Sequence, residues 1–322
     1  MTPDLTSGVP EPGGAARPAA PPWLRALRRV GDAWRGLIIG VPTVWLVLFF
    51  LVPFLIVLKI SLAQSIVGRP PYSALLEWGE GAWPAVTASL RNYLFLTQDW
   101  LYLAGYLNSV KIALISTALC LVCGYPIAYG IARSSPSARN ILLLFVILPF
   151  WTSFLLRIYA WMGILNKQGI LNGVLVWSGI LDQPVEMMNT EFAVYLGIVY
   201  SYLPFMILPL YVTLEKLDQS LVEAAMDLGS RPWRVFVDVT LPLSLPGIIA
   251  GSLLVFIPAT GEYVIPALLG NPSSPMIGQV LFAEFYSNRD WPVASAVAVV
   301  LLLVLVLPIL WFQNRQARGG EA

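Results

Sequence analysis

Six long apolar runs, each free of charged side chains, fix the environment in which this chain can fold. They run from Leu37 to Leu58, between Lys111 and Arg133, and from Asn140 to Leu156 with an extension past Arg157 to about Leu165. The others run from Phe192 to Leu214, from Val239 to Gly261 and from Trp291 to Asn314. About 20 apolar residues in a helix cross the ~30 Å hydrocarbon core of a bilayer. One such run suits a buried helix of a soluble protein; six in 322 residues do not. Barrel strands alternate in polarity, and these runs do not. The expected fold is an all-α membrane protein with six transmembrane helices.

Composition narrows the function. Charged residues make up 11% of the chain, against about 25% in ordinary soluble domains. Lys plus Arg number 19 and Asp plus Glu 18, so nothing draws a nucleic acid from a distance. There is no histidine, which removes the commonest general base, metal ligand and neutral-pH switch. Cys120 and Cys123 form a C-x-x-C inside the second run, with no other Cys and no His to complete a zinc site. They are read as small apolar residues. No nucleophile motif such as G-x-S-x-G is present. No enzyme activity, metal or cofactor is expected of the chain itself.

The positive residues orient the spans. With the N-terminus inside, twelve Lys and Arg fall in inner segments and four (Arg69, Arg91, Lys167 and Arg289) in outer loops. Both termini are therefore expected in the cytoplasm. Lys59, Lys111 and Arg157 fall at outer span ends, where long side chains snorkel. Residues 1–35 read as a basic cytoplasmic tail, Pro-, Gly- and Ala-rich over its first 22 residues and without a signal-peptide pattern. The first span takes 36–62, an outer loop 63–103, the remaining five spans 104–314, and a second tail 315–322. Two small-xxx-small pairs, Gly36/Gly40 and Gly247/Gly251, suit close helix approach.

The loop 215–238 carries eight of the 37 charged residues. Leu221, Ala225 and Leu228 recur at helical spacing, so Asp218–Leu228 is expected as a short amphipathic helix with Asp218 as its N-cap. Gly229 suits the left-handed residue that ends a helix. Ser230 is then expected to cap a second helix, with Pro232 in its first turn. Such a pair, with Ala224, Ala225 and Trp233 at hand, is a compact knob for a groove of another protein.

The same loop follows a fixed pattern: Glu223-Ala224-Ala225, then Gly229, Val239, Leu241 and Pro242. It resembles the coupling loop of ABC importer permeases, departing only in Val239 where Ile is usual. The segments 147–165, 220–232, 247–270 and 276–299 resemble permeases of bacterial polyamine importers, and the likeness runs from about residue 37 to 312. The resemblance implies a type I ABC importer permease of the bacterial inner membrane, carrying putrescine or spermidine. It implies that Glu223, Ala224, Ala225, Gly229, Leu241 and Pro242 couple to a separate ATP-binding subunit present in two copies. A second, different permease and a periplasmic polyamine-binding protein are the further implied partners. The chain has no G-x-x-x-x-G-K-[ST] loop and not even a Gly-Lys pair, so energy has to arrive from elsewhere.

Glu262 lies at the outer end of the fifth run, among Pro258, Gly261 and Pro266, which suggest an interrupted helix. For a cationic cargo it would supply a counter-charge, with Tyr263, Tyr159, Trp161 and Trp151 as ring faces. The plainer reading leaves Glu262 in the outer loop, solvated or paired with Arg157 or Lys111. The outer acids Asp182, Glu186, Glu191, Glu284 and Asp290 could recruit a binding protein or simply be solvated. A self-contained secondary transporter or channel for organic cations is the other class open to such a chain. It has no need of a docking loop.

Overall fold

The computed structural model describes residues 37–77, 85–86 and 88–319. The expected tail 1–35, Gly36 and residues 320–322 lie outside the described residues. The chain divides into two units between Ile56 and Val57. Helix α1, Leu37–Ser61, is apolar all round, and its most apolar stretch has no buried residue. A π turn at Val47–Leu51 precedes Pro53, whose missing amide breaks the regular ladder.

The outer loop carries elements of its own. A two-residue antiparallel ribbon pairs β1 (Leu76–Glu77) with β2 (Ala85–Val86), a small addition to the expected all-α fold. Helix α2, Arg91–Gln98, follows, and its Asn92 Nδ2 donates to the carbonyls of Ser61 and Ala63, each at 2.8 Å.

Helix α3, Trp100–Arg133, starts twelve residues before the expected run and absorbs the end of the 63–103 loop. Lys111 set the expected boundary, yet its ammonium meets Glu191 Oε1 at 2.6 Å and stays within the helix. The Asp99 side chain caps α3 by accepting from the Leu101 amide at 2.9 Å.

Two of the expected spans are bent. Helix α4, Pro136–Trp151, turns through 91° into the segment that holds α5 (Phe154–Leu165) and α6 (Ile170–Trp177). Pro149 lacks the amide that would continue α4, its last turn is 3₁₀, and Thr152 is extended. Helix α7 runs unbroken over Glu191–Glu215 with Pro204 and Pro209 inside it, and α8 covers Gln219–Asp227. Helix α9, Pro232–Leu243, then bends by 65° into α10, Leu245–Thr260. Short helices α11 (Val264–Leu269) and α12 (Ile277–Phe282) lead to α13, Trp291–Gly319. Helix α13 thus takes in residues 315–319 of the expected second tail. Among the described residues, three helices are long and apolar enough to cross a membrane, or five if each bent pair is one span. The apolar part of α13, Trp291–Leu307, is shorter.

Helices α3, α7 and α10 pack mutually and form the centre of the second unit. Close approach of α10 to α7 explains the Gly247/Gly251 pair. A β-carbon at Gly247 would stand 2.6 Å from Thr213 Oγ1, and one at Gly251 2.8 Å from Met206 Sδ. Gly40 has nothing within 4 Å, so the first pair has no such role among the described residues. Cys120 is buried and donates to the Val199 carbonyl, while Cys123 is exposed; both are free.

Candidate functional site

Two regions hold the residues singled out above: the hairpin 218–242 and the helix break around Glu262.

The hairpin begins where α7 ends. Glu215 is fastened to Arg139 Nη1 at 2.5 Å, and Arg139 Nη2 also donates to the Ala132 carbonyl at 3.1 Å. This ties the neighbouring ends of α3, α4 and α7. Asp218 Oδ1 accepts from the Ser220 amide at 3.0 Å, capping α8 as expected. That amide holds the Asp218 carboxyl below its ordinary pKa. At the far end, the Gly229 amide donates to the Met226 carbonyl at 2.9 Å and the Ser230 amide to Ala225 at 3.2 Å. These are the two bonds of a Schellman stop, and Gly229 takes the left-handed φ of +82° that it needs. Ser230 closes this stop through its amide, and the next helix starts one residue too late for Ser230 to be its N-cap. Arg231 holds that N-cap position without a side-chain bond, and Pro232 occupies the first helical turn.

The apolar stripe of α8 is not buried by the described residues of this chain. Leu221 is exposed, Leu228 is 87% exposed and Trp233 71% exposed. Glu223 and Ala224 are also exposed, and Ala225 is half-buried. Leu241 packs against the core formed by Tyr125, Met206, Leu210 and Val255. Pro242 sits beside the bend. The hairpin is therefore anchored at Leu241 and uncovered along α8.

Glu262 is 8% exposed and lies between α10 and α11. Its Oε1 accepts from the amides of Val264 at 3.0 Å and Ile265 at 3.4 Å, which caps α11. Its Oε2 accepts from the Tyr202 hydroxyl on α7. Gly278 of α12 covers the break, since a β-carbon there would stand 2.6 Å from the Glu262 carbonyl oxygen. The interruption suggested by Pro258, Gly261 and Pro266 is present, but the outer-loop reading of Glu262 is not. It is neither solvated nor paired with Arg157 or Lys111. Lys111 belongs to Glu191, and Arg157 lies over the rings of Phe150 and Phe154, at 5.8 and 5.6 Å.

The four candidate rings do not converge on that carboxylate. Tyr263 stacks on Phe282 with centroids 4.1 Å apart, and Trp161 meets Tyr200 edge-on at 5.4 Å. Tyr159 and Trp151 are exposed. The ring that reaches Glu262 is Tyr202, which the sequence reading missed. A signal existed: a phenol inside a charge-free span needs a partner for its hydroxyl. Three of the five outer acids are also committed within the chain. Glu191 pairs with Lys111, buried Glu284 accepts from Tyr102 at 2.8 Å and Asn288 at 3.0 Å, and Asp290 caps α13 through the Val293 amide at 3.1 Å. Asp182 and Glu186 stay exposed.

Residues 122–319 match the family described as binding-protein-dependent transport system inner membrane component. The spermidine/putrescine transport system permease protein PotB of Haemophilus influenzae is 40% identical over 283 residues, 88% of this chain and 94% of that protein. PotB of Escherichia coli K12 is 40% identical over 273 residues, 84% of this chain and 94% of its own length. A chain in the crystal structure of a bacterial alginate ABC transporter, solved with an alginate pentasaccharide-bound periplasmic protein, has the same fold. It superposes with a TM-score of 0.64 at 18% identity, over 91% of this chain and 98% of that one.

Proposed function

The chain belongs to the family of binding-protein-dependent transport inner membrane components, and from that premise we propose that it is the permease of an ATP-driven polyamine importer. The family makes it a multi-pass inner-membrane protein and a transport subunit rather than an enzyme. The cargo we assign is putrescine or spermidine, in keeping with what the two PotB proteins are named for.

The observation that carries the coupling role is the uncovered apolar face of α8, presented on a charged hairpin with both ends capped. A preformed hairpin with Leu221 and Leu228 exposed along α8 and Trp233 exposed at the start of α9 suits a groove of another protein. We assign that groove to an ATP-binding subunit, in two copies, reading Glu223, Ala224, Ala225, Gly229, Leu241 and Pro242 as the coupling residues. A second, different permease completes the membrane part, and a periplasmic polyamine-binding protein delivers cargo. Both termini and the hairpin then face the cytoplasm, and the six apolar runs cross the membrane. Shifting a two-state transporter from 1:99 to 99:1 takes about 5.5 kcal/mol of differential binding. A rigid hairpin anchored at Leu241 is suited to deliver it.

For the path, Glu262 is the counter-charge offered to the cationic cargo, with Tyr263 beside it and Trp161, Tyr159 and Trp151 as further faces. A buried carboxylate that leans on a phenol and two amides, with no ion pair to a cation among the described residues, supports this role.

Co-purification with the ATP-binding subunit tests the coupling role. It is expected for the unaltered chain and lost in Glu223→Lys and Gly229→Pro. Uptake that persists after ATP depletion would defeat the proposal.

A further inference from the structure

Four side chains join the hairpin to the span behind it in one continuous contact. The ring of Trp233 stacks with Phe236, with centroids 5.6 Å apart and 26° between planes. Phe236 meets Tyr125 of α3 edge-on, at 5.5 Å and 88°. The buried Tyr125 hydroxyl lies 2.9 Å from Ser244 Oγ. Ser244 spends its own hydroxyl hydrogen on the Leu241 carbonyl at 2.8 Å, and a serine has only one. Tyr125 is therefore the donor.

Ser244 is fully buried and sits in the 65° bend between α9 and α10. Pro242 and Pro246 lack amide hydrogens, so the Asp238 and Pro242 carbonyls lose their usual helical partners. A π turn at Phe236–Thr240 adds a further irregularity on the hairpin side. A helix loosened at three places does not fix its own bend angle. The angle has to be set by a tertiary contact, and the Tyr125–Ser244 bond reaches the bend itself. Tyr125 comes from α3, which also packs against α7 and α10 at the centre of the unit.

We propose that Tyr125 is a positioning residue for energy coupling: it receives hairpin movement through Phe236 and locks the bend at Ser244, so that hairpin, bend and α3 move as one body. This rests on reading the hairpin as the ATPase docking site. Without the bond, a push on the hairpin flexes the bend and does not rock α10.

The test uses the permease purified with its partner subunits from native membranes and reconstituted into vesicles. ATP hydrolysis and uptake of labelled putrescine and spermidine are followed in the same vesicles. Tyr125→Phe keeps both ring contacts and removes only the donor, and Ser244→Ala removes the acceptor. Both variants are expected to retain the ATPase and its turnover, while uptake per ATP falls by about five- to tenfold, the scale of one buried hydrogen bond. The double variant is expected to be no worse than either single one. A second readout needs no cargo: spin labels at Asp238 and Ala250, in a cysteine-free background, report the distance across the bend. A narrow distribution is expected for the unaltered chain and a broadened one for Tyr125→Phe. Equal coupling ratios, additive losses, equal label distributions or loss of the ATPase from Tyr125→Phe would each overturn the proposal. Failure of the docking reading looks different, because the unaltered chain itself would then bind no ATPase.

Discussion

The fifth apolar run is flanked by the hairpin on one side and by the helix break at Glu262 on the other, and the two flanks are built from opposite materials. On the hairpin side, polar groups are satisfied locally by Asp218 and the Gly229 stop, while Leu221, Leu228 and Trp233 stay uncovered. On the other side a carboxylate is buried and held by Tyr202 and two backbone amides. Exposed apolar groups on a charged hairpin are costly unless another protein covers them. A buried acid is costly unless hydrogen bonds and a cation compensate it. The contrast fits one end of the span made for a protein partner and the other for a charged cargo.

The sharpest way to break the contrast is to damage each end and ask what the other loses. Gly229→Pro cannot adopt φ +82° and removes the amide bonded to Met226, so ATPase association is expected to weaken at least about tenfold. Glu262→Gln is expected to leave association intact and to depress polyamine uptake. Binding measured on the detergent-purified complex separates these outcomes, and equal effects of both variants on association would erase the distinction.

Next in size is the packing that holds the two ends on one rod. Gly251→Leu drives a side chain into Met206 and is expected to cost ~1–3 kcal/mol, seen as a lower unfolding midpoint. Gly40→Leu, with open space around it, is expected to leave the midpoint unchanged. At the buried acid, Tyr202→Phe strips a donor from Glu262 and is expected to cost ~1–3 kcal/mol in the same measurement. Combining it with Glu262→Gln should cost less than the sum of the two.

The smallest effect concerns the hairpin cap. The folded pKa of Asp218 is depressed, so its contribution is complete above the ordinary carboxylate range and fades as pH falls through the depressed value. Exchange of the α8 amides, corrected for intrinsic rates, is expected to speed up only below about pH 4. Asp218→Asn should remove that pH dependence.

Much of the hairpin was legible in the sequence because its determinants are local. Asp218, Gly229 and Pro232 each act within four residues of themselves, and the structure places them as cap, stop and first turn. Ser230 was misread by one position: Pro232 takes the first place of the second helix, which suits its missing amide, and that makes Arg231 the N-cap. The helix break at Glu262 was legible from Pro258, Gly261 and Pro266, but its partner was not. Tyr202 lies sixty residues away, and only the packing of α7 brings it there. The start of α3 was misplaced for a similar reason: Lys111 looks like a span boundary until Glu191 is seen beside it. Bends of 91° and 65° were also beyond an apolar count, which measures length and not direction.

The central claim is that this chain moves a polyamine only when an ATP-driven partner engages its hairpin. It is tested most directly in vesicles holding the complete transporter, with labelled putrescine and spermidine outside and ATP supplied to the ATPase side. Accumulation that requires ATP, and that Glu223→Lys abolishes, is the predicted result. Accumulation of either polyamine without ATP, or unchanged by Glu223→Lys, would contradict the account.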